Sequence, residues 1–326
     1  MSAPMLLIVS LAAAWLATGM FLSLARTRGW GKAVRRDGPE GHLVKEGTPT
    51  MGGAAFLTTA LALGTVSWAV GAWRPLPLPG DAGPVPGDLT GAAGAAVLAL
   101  IAAAAALGLW DDLTSLHRKR RAAEGADAST GVLARWRILA QAAIGLAFAL
   151  WAVSSGREMF GLAWLDVLGF AFVVVGTINA VNFADGLDGL AAGLAAVALT
   201  AFWGDPLAAV LIGALLAFLW FNAHPARLFM GGVGSEALGA ALAGLAIVHG
   251  DVWRLPIVAA IPLLEVLSVI AQVAFFRATG GRRLLRMSPL HHHFELIGWP
   301  ETRVVARFWL ITAATTALAI WSRAWW

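Results

Sequence analysis

Apolar runs of about 20 residues are long enough to cross the hydrocarbon core of a bilayer as helices. This chain contains ten, near 3–25, 51–73, 91–110, 132–153, 163–181, 187–203, 206–222, 235–249, 255–276 and 304–323. The sixth and eighth are short, as expected of spans that tilt or that end early at a site. Only 13% of the residues are charged, against about 25% in a soluble domain, and the mean hydropathy is +0.75. The sequence therefore predicts an all-α integral membrane protein of about ten transmembrane helices, forming one polytopic domain over residues 1–326. Abundant Gly and Ala within the runs permit close helix–helix approach. The first run begins almost at residue 1 without a basic flank and is too long for a signal-peptide core, so it reads as a retained span. With no Cys, disulfides and thiol catalysis are excluded, and with 16 Trp and no Tyr, Trp alone supplies the interfacial aromatic belt.

The loops alternate in charge. Segments 26–50, 111–137, 223–235 and 277–303 carry 18 of the 23 Lys and Arg, whereas the intervening segments carry four: Arg74, Arg157, Arg254 and Arg323. Basic loops stay cytoplasmic, which places both termini on the periplasmic side, as an even number of spans requires. The high isoelectric point thus belongs to orientation-setting loops, and no nucleic-acid partner is expected. The polar motifs then all fall on the cytoplasmic face. On the other side stands only the Pro/Gly-rich connector Pro75–Gly87.

The most informative of these motifs is Asn179-Ala-Val-Asn182-Phe-Ala-Asp185-Gly186-Leu-Asp188-Gly189, set between two apolar runs. Polar groups at membrane depth are costly and mark function. Asn179, Asn182, Asp185 and Asp188 recur every third residue, which on a helix draws one slowly winding polar ridge. Lys45-Glu-Gly-Thr-Pro-Thr50-Met-Gly-Gly at the entrance to the second run suits anion binding through side chains and free amides, or helix capping by Thr. Asp111 and Asp112, at the end of the third run, suit a divalent metal or proton transfer. Acids at a helix C-terminus would oppose the macrodipole, which argues for function. The Gly-rich turn Gly231–Gly234 can cradle phosphate. Glu265, Ser268 and Gln272 form a polar stripe, either paired inside the bundle or lining a path. His291-His292-His293, near several Arg, suits phosphate binding or proton transfer better than metal, which wants spaced ligands.

Taken together these segments resemble the phospho-N-acetylmuramoyl-pentapeptide transferases, within the polyprenyl-phosphate N-acetylhexosamine-1-phosphate transferase superfamily. The likeness runs from Gly38-Pro39 and Lys45–Gly53, through Asp111-Asp112 and Asn179–Gly189, to Ser288-Pro-Leu-His-His-His-Phe-Glu295. It implies transfer of phospho-MurNAc-pentapeptide from UDP-MurNAc-pentapeptide to undecaprenyl phosphate, giving lipid I and UMP. It further implies dependence on Mg²⁺, a homodimer, and a multi-pass location in the bacterial inner membrane. Carried over residue by residue, Asp111, Asp112 and His291 are the catalytic candidates. Asp111, Asp112 and Asp185 are the candidate metal ligands. Lys45, Thr50, Asn179, Asn182, Asp185, Asp188, Asn222, Phe229, Gln272, His292 and His293 are the candidate substrate residues, with Phe229 as a stacking partner for uracil.

One departure matters. The family pattern Phe-Met-Gly-Asp-x-Gly-Ser supplies an Asp as the main metal ligand, but here that position is Gly232. Glu236 stands four places on, where the family is usually apolar. The expectation is that the site has lost a ligand, so that the chain binds uridine compounds but turns over poorly until Gly232→Asp restores it; the competing reading is that another acid, Glu236 or Asp185, serves the metal. The alternatives to the main reading are a transferase for another UDP-N-acetylhexosamine, a binding homologue without activity, and an ion-coupled transporter, whose polar site would sit near the bilayer midplane. The orientation is checked by labelling, because the native chain offers no Cys background. A Cys at Gly83 should react with an impermeant reagent from outside and one at Ala126 should not; the reverse pattern overturns the topology.

Overall fold

In a computed structural model, the chain is described over residues 2–31, 45–69, 89–123 and 131–323; the segments around Gly38, Gly83 and Ala126 lie outside these. The described residues are helical apart from turns and a single β-bridge between Gly31 and Pro49. In chain order the helices are α1 (Ala3–Thr27), α2 (Gly53–Ala69), α3 (Gly94–Ala123), α4 (Gly131–Ser154), α5 (Ala163–Ala184), α6 (Leu190–Leu199), α7 (Pro206–Asn222), α8 (Gly232–Val248), α9 (Leu255–Val258), α10 (Ala260–Ala278), α11 (Leu290–Leu296) and α12 (Glu301–Ser322). Within the described residues, each apolar run thus contains helix. Among the described residues, six stretches are long and apolar enough to cross a membrane: Ala3–Thr27, Gly91–His117, Arg135–Ser154, Ala163–Ala184, Ala260–Ala278 and Glu301–Ser322. The helices from Gly53, Leu190, Pro206 and Gly232 are shorter. The outer faces of the bundle are apolar, with Phe172 78% and Met20 75% exposed. Such a surface suits lipid rather than water.

The sequence reading misplaces several boundaries, and the ninth run, read as one span over 255–276, is broken at Ala259 into α9 and α10. The third apolar run ends at Trp110, but α3 continues to Ala123, because Leu113 and Leu116 keep the helix pattern going beyond the acids. Asp111 and Asp112 are therefore within the helix, and the macrodipole argument for them does not apply. The expected ridge also breaks up. Helix α5 stops at Ala184 with Asp185 as its C-cap, and α6 starts only after Gly189, whose φ of 76° is left-handed.

Helix α8 is the centre of the fold: every residue from Val233 to Val248 is buried. A helix that is apolar all round belongs in the interior. Its neighbours reach it backbone to backbone. A side chain on Gly108 of α3 would fall on the carbonyl of Gly232, and one on Gly53 of α2 would fall on the amide of Gly234. A Cβ at Gly239 would come within 2.5 Å of the Ile178 Cα on α5. At the end of α8 remote from these first contacts, Asp205 caps α7 through Leu207 N at 2.7 Å and takes His249 Nε2 at 2.8 Å, while Asp251 pairs with Arg254 and Arg323. At this α3–α8 approach, Gly108→Ala should cost about 1–3 kcal/mol of overpacking, read as a lower unfolding midpoint in detergent. An unchanged midpoint would contradict the contact.

Candidate active site

The acid pair of α3 divides its work, since neighbours on a helix point about 100° apart. Asp112 turns to the start of α8, where its carboxylate oxygens accept the amides of Gly232 at 3.0 Å and Val233 at 3.1 Å. First-turn amides have no partner within their own helix, and the helix N-terminus favours an anion. The Gly-rich turn thus cradles the chain's own carboxylate. Gly231 has a φ of 77°, and a Cβ there would come within 2.5 Å of Asp112 Oδ2, so this turn needs glycine on both counts. Asp111 faces Arg137 of α4, with Nη1 3.4 Å from Oδ2.

One turn into α8, Glu236 is completely buried. Its Oε2 accepts a hydrogen bond from Gln141 Nε2 at 3.3 Å, and its Oε1 has no partner. Gln141 in turn accepts from Asn179 Nδ2 at 2.7 Å, and Asn182 Nδ2 donates to Ser235 Oγ at 2.9 Å. Glu236 lies within electrostatic reach of Arg137, Asp111 and Asp112. Asn179, Asn182, Asp111, Asp112 and Glu236 therefore gather around the first turns of α8. Position 232 opens on the same place. A Cβ there would stand 3.5 Å from Asp112 Oδ1 and 3.3 Å from Gly108 O, which is tight but not blocked.

A second network lies where the Asp185–Gly189 turn meets the start of α12. Lys45 Nζ donates to Asp188 Oδ1 at 2.7 Å and to both oxygens of Glu301 at 2.6 and 2.7 Å. Asp188 Oδ2 contacts His224 Nδ1 at 3.1 Å and accepts Ala226 N at 3.0 Å, and Glu301 Oε1 accepts Asp188 N at 2.6 Å. Asp188, His224 and Glu301 offer ligand atoms within 4.8 Å of one another, but the Lys45 ammonium already stands against both carboxylates. Nearby, Asn222 joins Gly189 N at 3.1 Å to Leu228 O at 2.9 Å.

The Lys45–Gly53 segment offers fewer free amides than its composition promised. Thr50, which is buried, donates its amide to Trp30 O; Gly52 and Gly53 donate theirs to Phe229 O and Met230 O at 2.9 and 2.8 Å. Those bonds stitch the half-buried Phe229 to the entrance of α2. Gln272 accepts the amides of Leu284 and Leu285 at 3.0 and 2.9 Å and donates to Leu285 O. It braces the loop before α11 and also lines a cavity of about 340 Å³ with Arg277, Arg283 and Ser288.

The histidines sit on α11 in three different settings. His291 is buried between Glu265, whose Oε2 lies 3.2 Å from Nδ1 at an angle too poor for a formed hydrogen bond, and Gly186, where any side chain would overlap its ring. His292 pairs with Glu295 at 2.7 Å, and His293 Nδ1 accepts the Arg286 amide at 3.2 Å. Glu265 accepts the His291 amide at 3.2 Å, so both acid and amide of the stripe are paired, while Gln272 also lines the cavity. Gln141, His224 and Glu301 are the site residues that sequence reasoning missed. Gln141 alone left a signal, as an amide inside an apolar run.

Carboxylates, amides and a lysine collected at one end of a bundle of apolar helices define a membrane-embedded transferase of the class whose profile, Glycosyl transferase family 4, matches residues 95–250. That range holds the whole α3–α8 site. Over 97% of this chain and 98% of their own lengths, phospho-N-acetylmuramoyl-pentapeptide-transferases of Deinococcus radiodurans and Deinococcus deserti are 40% and 44% identical to it. One from Thermosynechococcus vestitus is 40% identical over 89% of this chain and 77% of its own length. The chain belongs to the phospho-N-acetylmuramoyl-pentapeptide-transferase family.

A buried carboxylate oxygen without a partner is a stability liability. Replacing a buried charge by an apolar side chain of similar volume is often neutral or stabilising, by about 1–4 kcal/mol. Glu236→Leu should therefore leave the unfolding midpoint unchanged or raise it. A clear drop would make Glu236 a structural residue.

Proposed function

We propose that this chain transfers phospho-MurNAc-pentapeptide from UDP-MurNAc-pentapeptide to undecaprenyl phosphate, giving lipid I and UMP. The observation that carries the site is the gathering of Asp111, Asp112, Asn179, Asn182 and Glu236 around the start of α8, inside the stretch shared with the family. The working form is one polytopic transferase domain over 1–326, of ten spans, in the bacterial inner membrane. Its termini are periplasmic, its site is cytoplasmic, and it pairs as a homodimer. A lipid phosphate and a soluble nucleotide meet only where the spans reach the cytoplasm.

In the reaction, a phosphate oxygen of undecaprenyl phosphate forms a bond to the sugar-bearing phosphorus. The bond from that phosphorus to the bridging oxygen breaks, and UMP leaves with the electron pair. Asp111 is the better placed general base, because Asp112 is immobilised by two amides whereas Asp111 has a single long contact to Arg137. Asn179 and Asn182, each hydrogen-bonded through its amide nitrogen, shape the nucleotide end. Phe229, fastened to the α2 entrance, offers the face for uracil. His292 and His293 belong to the sugar-phosphate end with His291.

Charge neutralisation between two phosphates calls for Mg²⁺, which takes hard oxygen donors. Asp111, Asp112 and Glu236 would hold it, with Asp185, the C-cap of α5, as a further candidate; when bound, the ion would supply positive charge for the phosphoryl oxygens. The donor set fits because Glu236 keeps an unpartnered, buried oxygen beside the position where Gly232 lacks one. The other acidic group, Asp188 with His224 and Glu301, is already served by Lys45. Of the two readings of Gly232, the placement of Glu236 favours a carboxylate moved one helical turn over a lost ligand, and an active chain over a crippled one.

Asp111→Asn or Asp112→Asn should lower UMP release from the two substrates by at least ~100-fold, with uridine-nucleotide binding retained. Near-normal turnover in both variants would remove the pair from the mechanism. UMP release from another UDP-N-acetylhexosamine, but not from UDP-MurNAc-pentapeptide, would reassign the substrate.

A further inference from the structure

Glu301 carries no motif and lies far in sequence from Lys45 and Asp188, yet it makes the tightest contacts in their network. An ammonium has three donors and no acceptor. Those of Lys45 go to Asp188 Oδ1 and to both oxygens of Glu301, at 2.6–2.7 Å. The groups are mostly enclosed: the Lys45, Asp188 and Glu301 side chains are 15%, 2% and 10% exposed. Asp188 cannot hold the lysine in place by itself, because its second oxygen is engaged by His224 and Ala226 N. Lysine is a point charge on a flexible four-carbon stem, so whichever acceptors surround it decide where the charge sits.

We infer that Glu301 is a positioning residue: it fixes the Lys45 ammonium at the Asp188 turn and thereby sets the affinity of the site for the uridine nucleotide end of the substrate. This rests on the reading of Lys45 as a nucleotide-site residue. Glu301 reaches the turn a second way, by accepting the Asp188 amide at 2.6 Å. It enters from the first turn of α12, where an acid is favoured by the helix dipole and where Pro300 starts the helix. The cluster is thus closed by a residue from the far end of the chain, and α12 brings the positioning group to a turn beside which it also packs, with Trp309 against Gly189 and Leu190. In this arrangement Lys45 takes the place that a divalent cation would have among Asp188, His224 and Glu301, which leaves the metal to the α3–α8 acids.

A structural anchor and a positioning residue separate in a double-mutant cycle. UMP affinity, KM for UDP-MurNAc-pentapeptide and kcat are measured for the full chain and for Glu301→Gln, Lys45→Met and the double variant. Losing a charge-assisted pair at a binding residue is expected to weaken UMP binding and raise KM about tenfold, with kcat changed by less. Glu301→Asp should recover part of the loss. In the Lys45→Met background, Glu301→Gln should add almost nothing. Independent, multiplying losses in the double variant would overturn the inference, as would unchanged UMP affinity in Glu301→Gln. If Lys45→Met itself binds UMP as the unmodified chain does, the reading of Lys45 falls, and the inference with it. Should Glu301→Gln not fold, the cycle is run with Glu301→Asp, for which the same non-additivity is expected at smaller amplitude.

Discussion

The backbone-to-backbone approach of three helices to α8 is the constraint on which the rest of this structure depends. Gly53, Gly108 and Gly239 remove the side chains that would hold α2, α3 and α5 away. Only at that separation can α3 deliver Asp112 to the first amides of α8. In a membrane, association of helices cannot draw on a hydrophobic difference between lipid and apolar side chains, so close packing by small residues supplies the attraction. The chain's high Gly and Ala content is therefore the means by which a polar site is assembled at the end of an apolar bundle.

Electrostatics finishes what packing begins. Two networks of opposite design lie at this end. Around α8, carboxylates outnumber cations: Asp112 is held by amides, Asp111 has a distant arginine, and Glu236 keeps an oxygen without a partner. Around Asp188, a lysine already satisfies two carboxylates. The first is short of positive charge and suits a cation between phosphates; the second is saturated and suits a fixed scaffold for the nucleotide. A family member that lacks an acid at 232 and carries one at 236 keeps the acid within the same shell, because residues four apart lie on one face of a helix.

Much of this was legible in the sequence. Among the described residues the apolar runs fold as helices, since length and hydropathy act locally, although the ninth is broken at Ala259. The motif residues Asp111, Asp112, Asn179 and Asn182 do converge, along with Glu236. What the sequence concealed came from tertiary partners. The third helix runs past its apolar stretch to Ala123, and there Asp112 finds amides on α8 rather than water. The three-residue rhythm of Asn179 to Asp188 is not a single ridge: α5 ends at Ala184, so Asn179 meets α4, Asn182 meets α8 and Asp188 meets Lys45 and Glu301. Glu301 in isolation looks like an ordinary first-turn acid, and His224 like a loop residue. Neither has a local pattern, because their partners are 256 and 36 residues away.

The carboxylate at 236 decides whether the α8 site holds its metal. The direct measurement is Mg²⁺-dependent UMP release by the purified chain, by Glu236→Gln and by Gly232→Asp, side by side with both substrates present. The structure predicts an active unmodified chain, a loss of about 100-fold or more in Glu236→Gln, and no need for an acid at 232. A nearly inactive chain that Gly232→Asp awakens, with Glu236→Gln making no difference, would contradict it.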